Sequence, residues 1–419
     1  MDFTKLTAFL DSLEEAYGVR SADCIVTREH ETVYRHMTGH SDSEGKYPVD
    51  DKDLYYLYSC TKVITCTAVL QLIEQGAVQL YDPVGKYLPE YAVMKVANEF
   101  DGVNLPGLTA PCHFSAKQIR IIDLMAMMGG LTYEVTSEAI RNAQEKTRAQ
   151  GNARAERNAG AERNAGAEGN DRVKGSTRDM VAAIAEMPLI YEPGTRWYYS
   201  LAHDVLAAVV ETVSGEGFGE YLHHHIFGPL GIKNDMFFHL DQEQEKRLSA
   251  IYAYDSITNR ITPCGRDESY KFTDVYESGG AGLIGTVSGY SAVLEALACG
   301  GRGRNGERIL KEETVRMFSV NVTMGQALRD VQLQEGPEYG YGLGVRVKIN
   351  EKRGLGPIGE FGWGGAAGAY VCVDPAHHVS IFFATHVMNF GVCGREFHPL
   401  IRDYAYEGVL GTEEESPNS

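Results

Sequence analysis

An α+β fold, with an antiparallel sheet assembled from both chain ends and a mostly helical part inserted between them, follows from three features of the sequence. Near the N-terminus, "DCIVTREHETVYRHMTGHSD" alternates apolar and polar residues around a polar "REHE", the pattern of a hairpin. The middle of the chain carries helical periodicity, in "YSCTKVITCTAVLQLIEQG" (58–76), "STRDMVAAIAEM" and "AHDVLAAVVETVSGEG". The last third turns to strand-like runs, "YGYGLGVRVKI", "GAAGAYVCVD" and "VSIFFATHVM", separated by Gly, Pro and Asn. Strands at both ends with helices between them leave few parallel crossovers. We expect one domain over residues 1–412, its α/β part drawn from 1–95 and 285–410 and its helical part from 96–284.

The elements follow in order. "MDFTKLTAFLDSLEEAYGV" places Phe3, Leu6, Phe9, Leu10 and Leu13 at helical spacing among acids, without the basic start and unbroken apolar run of a signal peptide. After the hairpin, residues 58–76 form an amphipathic helix with Val63, Ile64, Ala68, Val69, Leu72 and Ile73 on its apolar face and Gly76 as its stop. Pro83 and Pro89 mark a surface loop, and "IRIIDLMAMM" (119–128) reads as a buried helix broken by Gly129 and Gly130. Residues 144–175 stand apart. The tandem "AERNAGAERNAGAEGN" holds no aromatic or large aliphatic residue, so it buries too little surface to offset its ordering entropy. It is read as a flexible insertion and a candidate lid, and 413–419 as an acidic tail.

Composition excludes several functions. Acidic residues outnumber basic ones 57 to 39, for a formal charge of −18, which repels phosphate backbones and anionic lipid surfaces. Neither nucleic acid nor a membrane is expected as partner, and no apolar run approaches the ~20 residues of a membrane span. The eight cysteines form no C-x-x-C pair, and several sit in apolar runs and read as small buried hydrophobes in a reduced, cytoplasmic setting. No metal or other cofactor is expected. Successive residues of a helical "HHH" (223–225) splay by ~100° and share a metal poorly.

Chemistry concentrates at three places. Ser59 and Lys62 stand three apart at the head of a helix, where an amine reaches the hydroxyl and free backbone N–H groups favour a developing anion. The pair Ser43–Lys46 has the same spacing, but Gly45 and Pro48 place it in a solvated loop. A lysine acts as base only where burial or charge lowers its pKa from ~10.4, so a cleft and a third polar group are required. Tyr199, in "YEPGTRWYYSLAHD", supplies a phenol able to relay a proton. In "EFGWGGAAGAY", Gly364 and Gly365 allow a ligand close to the backbone, and the Ala366 N–H becomes an oxyanion donor beside that of Ser59.

Taken in order, Ser59-Cys-Thr-Lys62, Tyr199-Ser-Leu201 and Trp363-Gly-Gly365 resemble the three motifs of the serine β-lactamase and penicillin-binding-protein superfamily. "LYDPVGKYLPEY", "GGLTY" and "SGGAGLIGTVSGYSAVLEAL" strengthen the likeness, which spans nearly the whole chain outside 144–175 and the tail. The resemblance implies a β-lactamase/transpeptidase-like fold and an acyl-enzyme on Ser59. Where relatives carry a Lys or His that suits a substrate carboxylate, this chain has Trp363. Where they carry an Asn in the second motif, it has Leu201. Both changes are similar to those of family VIII carboxylesterases and imply a neutral, apolar small-molecule ester or amide substrate. Tyr133, Trp363, Leu201 and Asp204 are implied to line the substrate pocket, with His203 peripheral. Met127–Gly130 replaces the H-T-S-G of many relatives. No G-x-S-x-G is present. A β-lactamase, D-amino-acid peptidase or acyltransferase on the same fold is the competing expectation, and an idle ligand-binding or sensor domain is the competitor from another class.

Overall fold

The computed structural model describes residues 1–100, 110–132, 176–265 and 275–411. Its middle layer is a seven-stranded antiparallel sheet: β1 (Ser21–Arg28), β2 (Glu31–Gly39), β3 (Tyr339–Tyr341), β4 (Arg346–Lys348), β5 (Phe361–Gly362), β6 (Tyr370–Asp374) and β7 (Val379–Ala384). The spatial order is β3-β4-β5-β6-β7-β1-β2. The two chain ends therefore meet at the β1–β7 pair, from Asp23 opposite Ala384 to Arg28 opposite Val379. The β1–β2 hairpin turns at Glu29 and His30, both with positive φ (50° and 71°), which matches the strand twist across a two-residue turn.

Helices α1 (Thr4–Asp11), α2 (Thr61–Glu74), α3 (Ala202–Ser214), α4 (Val287–Ala298) and α5 (His398–Leu410) cover both faces of the sheet. Val371, Val373, Phe382 and Ala384 join the core shared with α2, α3 and α4, whereas Tyr370, Cys372, Ile381 and Phe383 meet Leu6 and Leu10 of α1 and Ile401 and Ala405 of α5. The side-chain period of two sends alternate residues to opposite cores. With both faces covered, "VSIFFA" is buried at every position and has no reason to alternate in polarity.

Three expectations are corrected. Helix α2 begins at Thr61, after a 3₁₀ turn at Tyr58–Cys60, and every residue from Thr61 to Leu72 is buried. It is a central helix packed on all sides rather than an amphipathic one. Its hydroxyls are accommodated by carbonyls: Thr65 Oγ1 donates to Gly279 O (2.6 Å) and Thr67 Oγ1 to Val63 O (2.9 Å). The helix expected at 119–128 shrinks to Ile121–Met125, because Met127 (φ 56°) and Gly130 (φ 81°) turn the chain back. The last third holds helices as well as strands, at Gly325–Glu335 and α5.

Two local readings stand. Gly76 (φ 73°) stops α2 and Gly215 (φ 78°) stops α3. Ser43 and Lys46 lie exposed in a turn whose N–H groups at 44, 46 and 47 donate to the Asp42 carboxylate. Tyr133, the insertion at 144–175 and the tail at 413–419 lie outside the described residues. Among those that are described, no helix is long and apolar enough to cross a membrane, and the cysteines are all free thiols.

Candidate active site

Ser59 sits where a strand becomes a helix. Tyr55–Tyr56 pairs with Ile284–Gly285, and Leu57 N–H donates to Leu283 O (2.9 Å). Tyr58 then adopts φ 45°, a left-handed conformation that a bulky residue holds only when its surroundings impose it. The strained residue is almost wholly buried and aims the next side chain, Ser59, into a cleft of about 980 Å³.

Two groups converge on the Ser59 hydroxyl. Lys62 Nζ lies 3.2 Å from Oγ and Tyr199 Oη lies 2.5 Å from it. Lys62 has no exposed surface, and its ammonium donates to Gly280 O at 2.6 Å. Burial pulls Lys62 down to about 7, against the opposing pull of Asp204. Desolvation has the reverse effect on Tyr199, raising its phenol well above 10 despite hydrogen bonds with Ser59 and Trp363. Near neutral pH the pair is therefore a titrating amine and a protonated phenol, not a phenolate.

The second motif is fixed from two sides. Tyr198 N–H donates to Met127 O and Leu201 N–H to Thr132 O, both at 3.1 Å. On the other side the Trp363 indole stacks on Tyr199 at 5.5 Å and donates from Nε1 to Tyr199 Oη at 3.2 Å. Trp197 and Tyr341 close the aromatic cluster.

The third motif approaches Ser59 through glycine. A Cβ on Gly365 would fall 2.9 Å from Leu57 O, so only glycine lets this segment lie against the Ser59 turn. Gly365 N–H is held by Ala369 O (2.9 Å), closing a tight turn that leaves Ala366 exposed at the cleft wall. Ser59, Tyr199, Trp363, Gly364, Gly365 and Ala366 all line the same cleft.

Leu201 and Asp204, expected to line the pocket, are placed elsewhere. Leu201 is buried at the N-terminus of α3. Asp204 has no exposed surface and accepts hydrogen bonds from Tyr276 and Ser278, each at 2.6 Å to Oδ1. Its Oδ2 has no hydrogen-bond partner and faces the Lys62 side. A Cβ on Gly280 would meet Asp204 Oδ2 at 2.6 Å and Lys62 Nζ at 3.6 Å, so the two atoms are no more than about 6 Å apart. His203 points the other way, its Nε2 3.3 Å from Cys66 Sγ, and burial keeps it neutral. In "HHH", His224 and His225 both bond Glu216, and among the described residues no cluster of three or more side chains is arranged to hold a metal.

Sequence reasoning used the segment opening at Ser278 only for the family likeness and gave it no role in the site. Ser278, Gly279 and Gly280 anchor Asp204 and present carbonyls to Thr65 and Lys62. The consecutive glycines were the available signal, since a Cβ on Gly279 would fall 2.4 Å from His203 O.

Residues 6–406 match the β-lactamase family, and the chain belongs to it. Esterase EstB of Burkholderia gladioli is 26% identical over 434 residues, covering 97% of this chain and 96% of its own. Solved structures share the fold. EstCE1, described as a hydrolase with promiscuous acyltransferase activity, superposes with a TM-score of 0.72 at 23% identity, over 96% of this chain and 98% of its own. A family VIII carboxylesterase does so with 0.69 at 19% identity, over 97% of each chain. The family and its β-lactamase/transpeptidase-like fold are those implied by the three motifs.

Proposed function

We propose that this protein is a serine hydrolase that cleaves small carboxylic esters through an acyl-enzyme on Ser59. The observation that carries the proposal is the convergence on Ser59 Oγ of Lys62 and Tyr199, with Lys62 drawn to about 7 by burial. A neutral Lys62 takes the Ser59 proton as Oγ attacks the ester carbonyl. The oxyanion lies between the N–H groups of Ser59 and Ala366, both on the cleft wall. Tyr199 gives its proton to the departing alkoxide and regains one from Lys62. Water then enters, Lys62 and Tyr199 deprotonate it, and the acid leaves as Ser59 is reprotonated.

The test is paired hydrolysis of p-nitrophenyl butyrate and a chromogenic cephalosporin, with Ser59→Ala as control. Fast ester cleavage that falls at least ~10³-fold in Ser59→Ala, with little cephalosporin turnover, is the expected result. Ester cleavage that survives in Ser59→Ala refutes the mechanism. A long-lived acyl-serine without turnover points to a sensor instead. Acyl transfer is a second reading, supported by the description of EstCE1, because an alcohol in place of water intercepts the same acyl-enzyme. An ester of the added alcohol among the products identifies it.

A further inference from the structure

Trp363 removes the cation from the third motif, yet the cleft beyond it is not neutral. In a chain of formal charge −18, four arginines (Arg346, Arg353, Arg395, Arg402) and three carboxylates (Glu335, Glu338, Asp403) line the far end of the cavity that holds Ser59. Two of these charges are already hydrogen-bonded to each other. Arg402 donates to Asp403 Oδ1 (2.8 Å) and Tyr339 Oη (2.7 Å). Arg346 is different. It is 9% exposed, and none of its five N–H groups makes a hydrogen bond to a described residue. The nearest carboxylate, Glu335, stands 3.8 Å away, beyond hydrogen-bond reach. Two aromatic faces hold the guanidinium in place, Tyr339 at 4.8 Å and Tyr370 at 5.3 Å. Arg346 pairs across the sheet with Gly362, three residues before Gly365, and lines the same cavity as Ser59.

We infer that Arg346 forms an anion subsite in the Ser59 cleft, so that the preferred esters carry a carboxylate. This rests on the esterase reading above. It replaces the neutral substrate expected from Trp363 and Leu201. A buried guanidinium whose only ion-pair partner, Glu335, stands at 3.8 Å keeps its fork of donors free to take a carboxylate bidentately, and the aromatic stack lowers the ordering cost. The cation that relatives hold in the third motif is here supplied from the neighbouring strand.

The test compares charged esters with neutral twins. Mono-p-nitrophenyl adipate carries its carboxylate on the acyl side and 4-carboxyphenyl butyrate carries it on the alcohol side. Each is assayed beside its methyl ester. At least one charged probe is expected to exceed its twin in kcat/KM by roughly tenfold or more, and in Arg346→Met that ratio is expected to fall ~10- to 100-fold. Equal rates for both pairs in the wild type, or a preference that survives in Arg346→Met, overturn the subsite while leaving the esterase reading intact. Loss of all Ser59-dependent cleavage defeats the esterase reading alone. In that event calorimetric binding of monomethyl adipate to the Ser59→Ala protein decides the subsite, with no binding, or binding equal to that of dimethyl adipate, counting against it. Should Arg346→Met fail to fold, inhibition of p-nitrophenyl butyrate cleavage by monomethyl adipate but not by dimethyl adipate supports the subsite, and equal inhibition rejects it.

Discussion

Replacing Asp204 with Asn isolates the charge that opposes the effect of burial on Lys62. Asp204 Oδ2 and Lys62 Nζ are no more than about 6 Å apart, both fully buried. At that distance and an effective dielectric of ~20, the attraction is roughly 3 kcal/mol, or ~2 pKa units. Relaxation around the site reduces this to about 1–2 units. Asn retains an acceptor for Tyr276 and Ser278, so the backbone that presents Gly280 O to Lys62 keeps its anchor. The anion favours the protonated amine, so its removal lowers Lys62 further below about 7. If neutral Lys62 is the base, kcat/KM rises with pH through that pKa, and the midpoint of the rise in Asp204→Asn is expected at about 5–6. At pH 6 the wild type should show ~10% of its plateau rate and the variant ~50% or more. The plateau itself falls, because a weaker base accepts the proton less readily. The assay is the pH profile of p-nitrophenyl butyrate hydrolysis for the two proteins. A midpoint that stays put or moves upward refutes the assignment of Lys62 as the titrating base.

Two further outcomes follow from the same geometry. The unfolded chain protonates Lys62 below about 10.5 and the native one only below about 7, so the cost of burying the charge is full below pH 7, fades as pH rises and vanishes above 10.5. Lys62→Met is therefore expected to stabilise the fold by about 2–4 kcal/mol at pH 6 and by little at pH 10, read from urea midpoints, while abolishing turnover. Gly365→Ala puts a methyl 2.9 Å from Leu57 O and 3.1 Å from the Ala369 side chain. Main-chain atoms yield poorly, so the strand should shift and carry the Ala366 N–H out of line. A loss of ~10²-fold in kcat with about 1–2 kcal/mol of stability is expected, and an unchanged kcat argues against Ala366 as an oxyanion donor.

The site was legible in proportion to how local its signals are. Ser59 and Lys62 are separated by three residues, and one helical turn brings them together whatever surrounds them. Tyr199 and Trp363 were found through motif order rather than contact, because nothing local reports that an indole 164 positions away donates to the Tyr199 phenol. The hairpin at 21–39 was readable because only one of its strands is buried on both sides: β2 has exposed and partly exposed positions throughout, and β1 is buried from Ser21 to Thr27. Helix α2 was misjudged as amphipathic because its threonines look solvent-facing until the carbonyls that accept their hydroxyls are in place. Helix α5 was overlooked although Ile401, Ala405 and Val409 recur every four residues, because the aromatic and β-branched runs before it set a strand pattern.

Asp204 and Arg346 show why charge is the hardest quantity to place from sequence. Asp204 lies five residues from Tyr199 and looked like a pocket residue. A half-turn at the start of α3 sends it inward instead, where it opposes the depression of Lys62 that the proposed mechanism needs. The two influences on Lys62 are thus set against each other, with desolvation the larger and Asp204 limiting it. A base left entirely to burial would fall far below neutral and lose proton affinity, whereas a stronger ion pair would hold it charged. Arg346 inverts the same lesson. The absence of a cation at Trp363 argued for a neutral ligand only while the motif was taken as the whole site. In the folded chain, β4 runs beside β5 and returns a guanidinium to the cleft from 17 residues upstream of Trp363. If the Arg346 proposal holds, substrate charge in this family member is set by strand pairing rather than by the motif, and the Arg346→Met comparison tests that inference without disturbing Ser59, Lys62 or Tyr199.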